Sequence, residues 1–174
     1  GMDEGEVLLT LTLNSSVKEW SLTQTGGEDW CMPSKTSGRT STTIKVTAER
    51  NVGDKRTSTL QFDSPGCEPA IVNVVQNGIE KAAKPEGFTA GFRYNDDNSV
   101  SFIFLDKDAD GKSYDYAYLI GEFNDWTPSD EYLMHRDDEA GCWWYTLKNL
   151  DPNKEYMFQY YLGYMGGEGR AYAD

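Results

Sequence analysis

Residues 114–126 read Tyr-Asp-Tyr-Ala-Tyr-Leu-Ile-Gly-Glu-Phe-Asn-Asp-Trp. The first seven alternate, with Tyr114, Tyr116, Tyr118 and Ile120 on one face of an extended chain. Period-2 alternation of aromatic and branched residues is the signal of a β-strand. The strand runs into Gly121, and Asn124 and Asp125 are turn formers, because their short side chains bond nearby backbone groups and tolerate left-handed conformations. Phe123 and Trp126 flank that pair. A turn with a large aromatic on each side either closes the end of a β-sandwich core or presents one ring to solvent. A presented indole offers a flat apolar face and one N–H donor, a match for the C–H face and hydroxyl edge of a sugar ring.

The surrounding sequence continues the pattern. Residues 99–105 alternate Val100, Phe102 and Phe104 against Ser101, Ile103 and Leu105, so both faces carry apolar side chains. Residues 95–98, Asn-Asp-Asp-Asn, precede them as a hairpin signal. Residues 143–147 and 155–162 form two more runs, joined by a turn at 150–153. Adjacent Trp143 and Trp144 must point to opposite faces of their strand. One is core, and the other needs solvent or a covering partner, a role a further domain would fill.

Upstream the composition changes. All 11 tyrosines lie after Phe92, whereas the first part is rich in Thr, Ser and Val. Residues 7–13, 43–48, 57–62 and 71–76 show strand alternation or dense valine, separated by Gly26-Gly27, Ser37-Gly38, residues 51–54 and residues 64–66. Short strands at this spacing suggest a sandwich. Residues 79–87, Ile-Glu-Lys-Ala-Ala-Lys-Pro-Glu-Gly, lack alternation, and Pro85 disfavours helix at Lys84. The reading is therefore all-β: two immunoglobulin-like β-sandwich domains in tandem, over residues 1–79 and 88–174, with a linker at 80–87. No helical period is visible anywhere.

Charge narrows the partners. The 174 residues carry a formal net charge of −13. That argues against nucleic acid and anionic membrane surfaces, which require clustered Lys and Arg. No apolar run approaches the length of a membrane span. A neutral polysaccharide is indifferent to this charge. Residues 1–6 are too charged for a signal peptide, and Gly1 ahead of Met2 reads as a tag remnant, leaving room for an export signal upstream. Three cysteines are not a disulfide framework; Cys31 and Cys67 are the pair that a bridge would join, against the default of free thiols.

Catalytic patterns are lacking. The carboxylates crowd turns, where water keeps them ionised, whereas glycoside hydrolysis needs two across a sugar subsite. The sole histidine, His135, stands among charged residues and reads as a surface side chain. Asp106-x-Asp108-x-Asp110-Gly111 copies the first half of a calcium loop, but its twelfth position is Ala117 rather than Glu. The loop is read either as a calcium site or as a solvated hairpin tip. No other cofactor is expected.

Two resemblances to known families extend this reading. Gly121-x-Phe123-Asn124-x-Trp126, Trp143-Trp144, Leu150-x-Pro152, Tyr156-x-Phe158-x-Tyr160 and the closing residues 171–174 resemble, in order, the glycogen-binding-type module, carbohydrate-binding module family 48. The match spans roughly residues 85–174. That module is an immunoglobulin-like domain preceding the catalytic barrel of α-amylase-type enzymes, glycoside hydrolase family 13. Trp20, Asp29-Trp30, Ser37-Gly38, residues 42–48, Asn51-x-Gly53, Arg56-Thr57-x-Thr59-Leu60 and residues 74–78 resemble the BACON domain, a carbohydrate-associated module that is often N-terminal. Trp20 and Trp30 are read as core anchors of a small sandwich, with sugar contact as the alternative.

The resemblances imply a function and a site. The glycogen-binding members contact glucan through two tryptophans and a lysine. The turn tryptophan carries over to Trp126, beside Asn124. The lysine position holds Gln159, and Tyr164 is the nearest substitute for the second tryptophan. Relatives that keep the fold but bind little pack on their barrel as scaffolds. The implied role is the non-catalytic N-terminal region of a secreted or surface-held α-glucan hydrolase, acting as spacer and as scaffold or weak α-1,4-glucan-binding module. Its partner would be a catalytic barrel beyond Asp174, and its location extracellular, cell-surface or periplasmic. The alternatives are a surface glycan-binding protein without an enzyme, or a pair of protein-interaction modules.

Overall fold

In the first half, alternating Thr and aliphatic residues build two antiparallel sheets. The computed structural model describes residues 4–107, 110–165 and 167–172. It forms two units, Gly1–Gly78 and Ile79–Asp174. Among the described residues there is no α-helix, and no helix is long and apolar enough to cross a membrane. The fold is all-β.

The first unit contains β1 (Gly5–Leu11), β2 (Trp20–Thr25), β3 (Cys31–Pro33), β4 (Ser37–Gly38), β5 (Thr42–Ala48), β6 (Arg56–Asp63) and β7 (Ala70–Gln76). They pair as β1-β5-β3 and β4-β2-β6-β7. Trp20, Trp30, Cys31, Ile44, Val46, Leu60 and Phe62 form the core. Each fully buried large apolar side chain contributes about 1.5–3 kcal/mol. Trp20 and Trp30 are 3% and 5% exposed, and the Arg56 guanidinium caps the Trp30 ring at 4.4 Å. Both indoles are thus spent on packing. Cys31 is buried, Cys67 is exposed, and both are free thiols, so the bridge considered from sequence does not form.

A buried asparagine explains the Asn51-x-Gly53 motif. Asn51 Nδ2 donates to the carbonyls of Asp54 (2.7 Å) and Asn77 (3.0 Å), and Oδ1 accepts the Gly53 N–H (3.0 Å). A Cβ on Gly78 would run into the Gly53 carbonyl, so the strand end can approach only as glycine. Asn51→Ala is expected to destabilise the first unit by about 2–3 kcal/mol, since it orphans buried backbone groups. Urea unfolding followed through Trp20 and Trp30 measures this.

The second unit contains β8 (Gly91–Tyr94), β9 (Val100–Leu105), β10 (Tyr116–Gly121), a 3-10 turn (Asp130–Tyr132), β11 (His135–Asp137), β12 (Cys142–Leu147), β13 (Phe158–Gly163) and β14 (Arg170–Tyr172). The sheets are β11-β12-β9-β8 and β10-β13-β14, antiparallel throughout. Their inner faces meet through Phe102 on Phe158 and Phe104 on Tyr160, each with ring centroids 4.8 Å apart. Trp143 faces this core, and its Nε1–H donates to Asp106 Oδ1 at 2.8 Å.

Trp144 corrects the sequence reading. Its indole N–H donates to the Ala82 carbonyl at 2.8 Å, and Phe88, Ile103 and Cys142 pack beside it. The cover assigned to a further domain is supplied by the chain itself. Residues 80–87, expected as a linker, are hydrogen-bonded onto β11. Arg136 N–H donates to Glu80 O (2.9 Å), Ala82 N–H to Arg136 O (3.0 Å), and Lys84 N–H to Asp137 Oδ2 (2.8 Å). Two amide donors, Ala140 N–H to Oδ1 at 2.8 Å first and Lys84 N–H next, hold the Asp137 carboxyl below the usual aspartate range.

Candidate functional site

The turn after β10 is built from its own backbone. Gly121 O accepts the N–H groups of Asn124 (3.2 Å) and Trp126 (2.9 Å), and Asn124 O accepts that of Thr127 (3.1 Å). Asn124 Oδ1 takes the Gly121 N–H (2.9 Å) while Nδ2 donates to Leu119 O (3.0 Å). A Cβ on Gly121 would lie 2.5 Å from Met157 O and 2.6 Å from the Phe123 ring, so only glycine fits. Phe123 is half-buried and packs on Tyr132 with centroids 5.5 Å apart.

Trp126 is the presented ring. It is 38% exposed, whereas Phe123 is the partner turned inward. Its backbone is unusual: Asp125 and Trp126 have φ of +51° and +59°. A left-handed conformation is tolerable for Asp but an outlier for a bulky residue. Sequence reasoning found the turn formers and missed that the tryptophan itself sits in this region. The signal was the tight Gly121-to-Trp126 closure, which leaves the last residues no extended path.

The other expected site residues have different fates. Asn124 holds the turn together, with both ends of its amide bonded to the loop backbone. Gln159 is paired with Ile120, and paired residues share a face, so it lies on the outer side of the sheet with Tyr118 and Tyr161. Its amide is half-buried and has no hydrogen-bond partner among the described residues. It lies next to Phe158, the partner of Gly121, at the turn end of the sheet. Tyr164 follows the other end of β13, about 17 Å along the strand from Gln159. Its ring stacks on Tyr114 at 5.3 Å and carries Lys112 Nζ at 3.7 Å. Gln159 thus lies at the turn end of the sheet and Tyr164 at the other.

In the Asp106 loop, the first carboxylate has other partners. Asp106 is 1% exposed; its Oδ1 accepts the Trp143 indole N–H and is ion-paired with Arg136 Nη1. A cation there would have to displace both. Asp110 is exposed, and Asp108 lies outside the described residues. Among the described residues no group of His, Cys, Asp and Glu is placed to hold a metal.

Acid–base machinery is equally hard to assemble. His135 is half-buried rather than a surface side chain, with its ring 4.6 Å from that of Trp144. Its Nδ1 lies 3.4 Å from a Glu80 carboxylate oxygen. Burial pushes the Tyr145 and Tyr132 phenols up, away from service as bases near neutral pH.

Residues 19–77 match the family model described as "BACON: Putative binding domain, N-terminal". They fall within the first unit. Its two BACON-motif tryptophans are core, which leaves any binding surface to other side chains. No curated protein matches the chain. A solved structure, "Bacteroides ovatus GH5 xyloglucanase in complex with a XXXG heptasaccharide", is similar at 23% identity and a TM-score of 0.40, over 52% of this chain. The chain corresponds to 19% of that protein's length.

Proposed function

We propose that this chain is the non-catalytic part of an extracellular α-glucan hydrolase, with the BACON-like unit as spacer and the second unit as a barrel scaffold that holds α-1,4-glucan weakly on Trp126. The observation that carries the reading is a half-open indole at the end of two consecutive left-handed, non-glycine residues. Such strain persists where the surroundings enforce it, and it clusters at ligand clamps. A ring needed only for packing could be placed without it. Gln159 supports the same reading, since a free amide on the adjoining strand can bond sugar hydroxyls. The family resemblance of residues 85–174 supplies the substrate class, and the BACON match supplies a setting of carbohydrate-associated modules. Asp106 and His135 offer no catalytic pair, so the chemistry belongs to a separate domain. The hydrolase half of the proposal is checked by whether the reading frame continues past Asp174 into an α/β barrel.

Affinity electrophoresis tests the binding half. The parent is expected to be slowed in a gel containing amylopectin, and Trp126→Ala to be slowed clearly less. Equal mobility of both proteins, with no slowing, rejects the Trp126 site and leaves the scaffold role.

A further inference from the structure

The inner face of the second unit's four-stranded sheet extends beyond its cover. Phe92 and Tyr94 project from the edge strand β8, on the face that Phe102 continues. Phe158 meets Phe92 edge-on at 5.9 Å, yet Phe92 remains 51% exposed and Tyr94 78% exposed. The two rings are themselves T-shaped at 5.9 Å. With Tyr156, Met157 and the turn at residues 150–155 they line a groove of about 880 Å³. That volume lies within the range of ligand clefts, about 300–1,000 Å³. Contiguous exposed aromatics of this kind mark binding surfaces rather than ordinary solvent-facing skin.

The rim identifies the chemistry. The Asn98 amide, the Glu155 carboxylate and the Tyr94 hydroxyl have no partner among the described residues. Aromatic rings and unpaired hydrogen-bonding groups lining one groove suit a ligand with C–H faces and hydroxyl edges. Glu122, Asp151 and Glu155 outnumber Lys154 on the lining, and Lys154 Nζ is held over the Tyr156 ring at 4.6 Å. The field is therefore negative, which disfavours uronates, sulfated sugars and nucleic acids. We propose that this groove is a second glycan site, taking a neutral oligosaccharide across Phe92, Tyr94 and Tyr156. It shares with the Trp126 reading only the class of ligand and does not require that site.

The test uses the whole chain as parent, Tyr94→Ala, Trp126→Ala and the double variant, run through gels containing amylopectin, hydroxyethylcellulose or polygalacturonate. Tyr94 is so exposed that its truncation leaves the unfolding midpoint unchanged, which separates binding from folding. The parent is expected to be slowed in a neutral gel, and Tyr94→Ala to bind there about fivefold more weakly or worse. Trp126→Ala is expected to keep the Tyr94-sensitive part of the retention. Polygalacturonate is expected to slow none of them. Tyr94→Ala migrating as the parent in both neutral gels overturns the groove, whether or not Trp126→Ala is affected. A Tyr94 effect with no Trp126 effect upholds the groove and removes the first site. A parent slowed by neither neutral polysaccharide overturns both, and a Tyr94-dependent slowing by polygalacturonate overturns the choice of a neutral ligand.

Discussion

Replacing Arg136 with methionine is expected to cost the second unit about 3–5 kcal/mol, the loss that follows when one partner of a buried ion pair is removed. Arg136 sits in β11 opposite Trp143, with its guanidinium 5.1 Å from that ring. Its side chain is 16% exposed and that of Asp106 2%. Burial opposes the arginine's charge, but its bond and attraction to Asp106, and then to Asp138, outweigh that and raise its pKa. In Arg136→Met the aspartate keeps only the Trp143 N–H and stays inside as an uncompensated anion. Asp106→Asn is expected to cost less, about 1–3 kcal/mol, because a neutral amide still accepts from Trp143. Combining the two should cost less than their sum, since the second change removes the charge that the first one stranded. Urea unfolding of the whole chain measures this, with the first unit's transition as internal reference. A shift below about 1 kcal/mol in Arg136→Met would mean that water reaches Asp106.

This network also shows where reading the sequence stops. Asp-x-Asp-x-Asp-Gly is a local pattern, and locally it looks solvated. The partner that takes Asp106 inside is Arg136, brought across by β12 and β11. Trp144 repeats the lesson, because its cover comes from Ala82, 62 residues earlier. Local patterning did find β1, β5, β6, β7, β9, β10, β12 and β13, where a repeating apolar face is what packing requires. It missed β2 and β3: the first is broken off by Gly26-Gly27, and the second is three residues ending in Pro33. It also gave β10 one apolar face, whereas all six of its residues are buried, Ala117 and Leu119 completely. A strand covered on both sides has no alternation to read. Of the site, the turn was legible because Gly, Asn and Asp encode backbone geometry directly, whereas which of its flanking rings stays open was not. The engagement of Asn124 and the stacking of Tyr164 were not, since they depend on which neighbours the fold brings near.

At Trp126 the expected result is an inverted order of two truncations. Trp126→Ala and Trp126→Gly remove the same indole, so both should lose the same share of amylopectin retention. They differ in the backbone. Alanine keeps a Cβ at φ +59°, whereas glycine occupies that region without penalty. Trp126→Gly should therefore exceed Trp126→Ala in stability by about 1 kcal/mol. At ordinary positions the preference runs the other way, because glycine gives the unfolded chain more freedom. Comparing the two variants with each other cancels whatever packing the ring contributes, which comparison with the parent does not. If Ala proves equal to or more stable than Gly, the turn is not left-handed at this residue and the strain argument for a ligand clamp fails. If the inversion holds while amylopectin retention stays at the parent's level in both, the strain serves the fold alone, and glycan binding has to be sought in the groove at Phe92 and Tyr94.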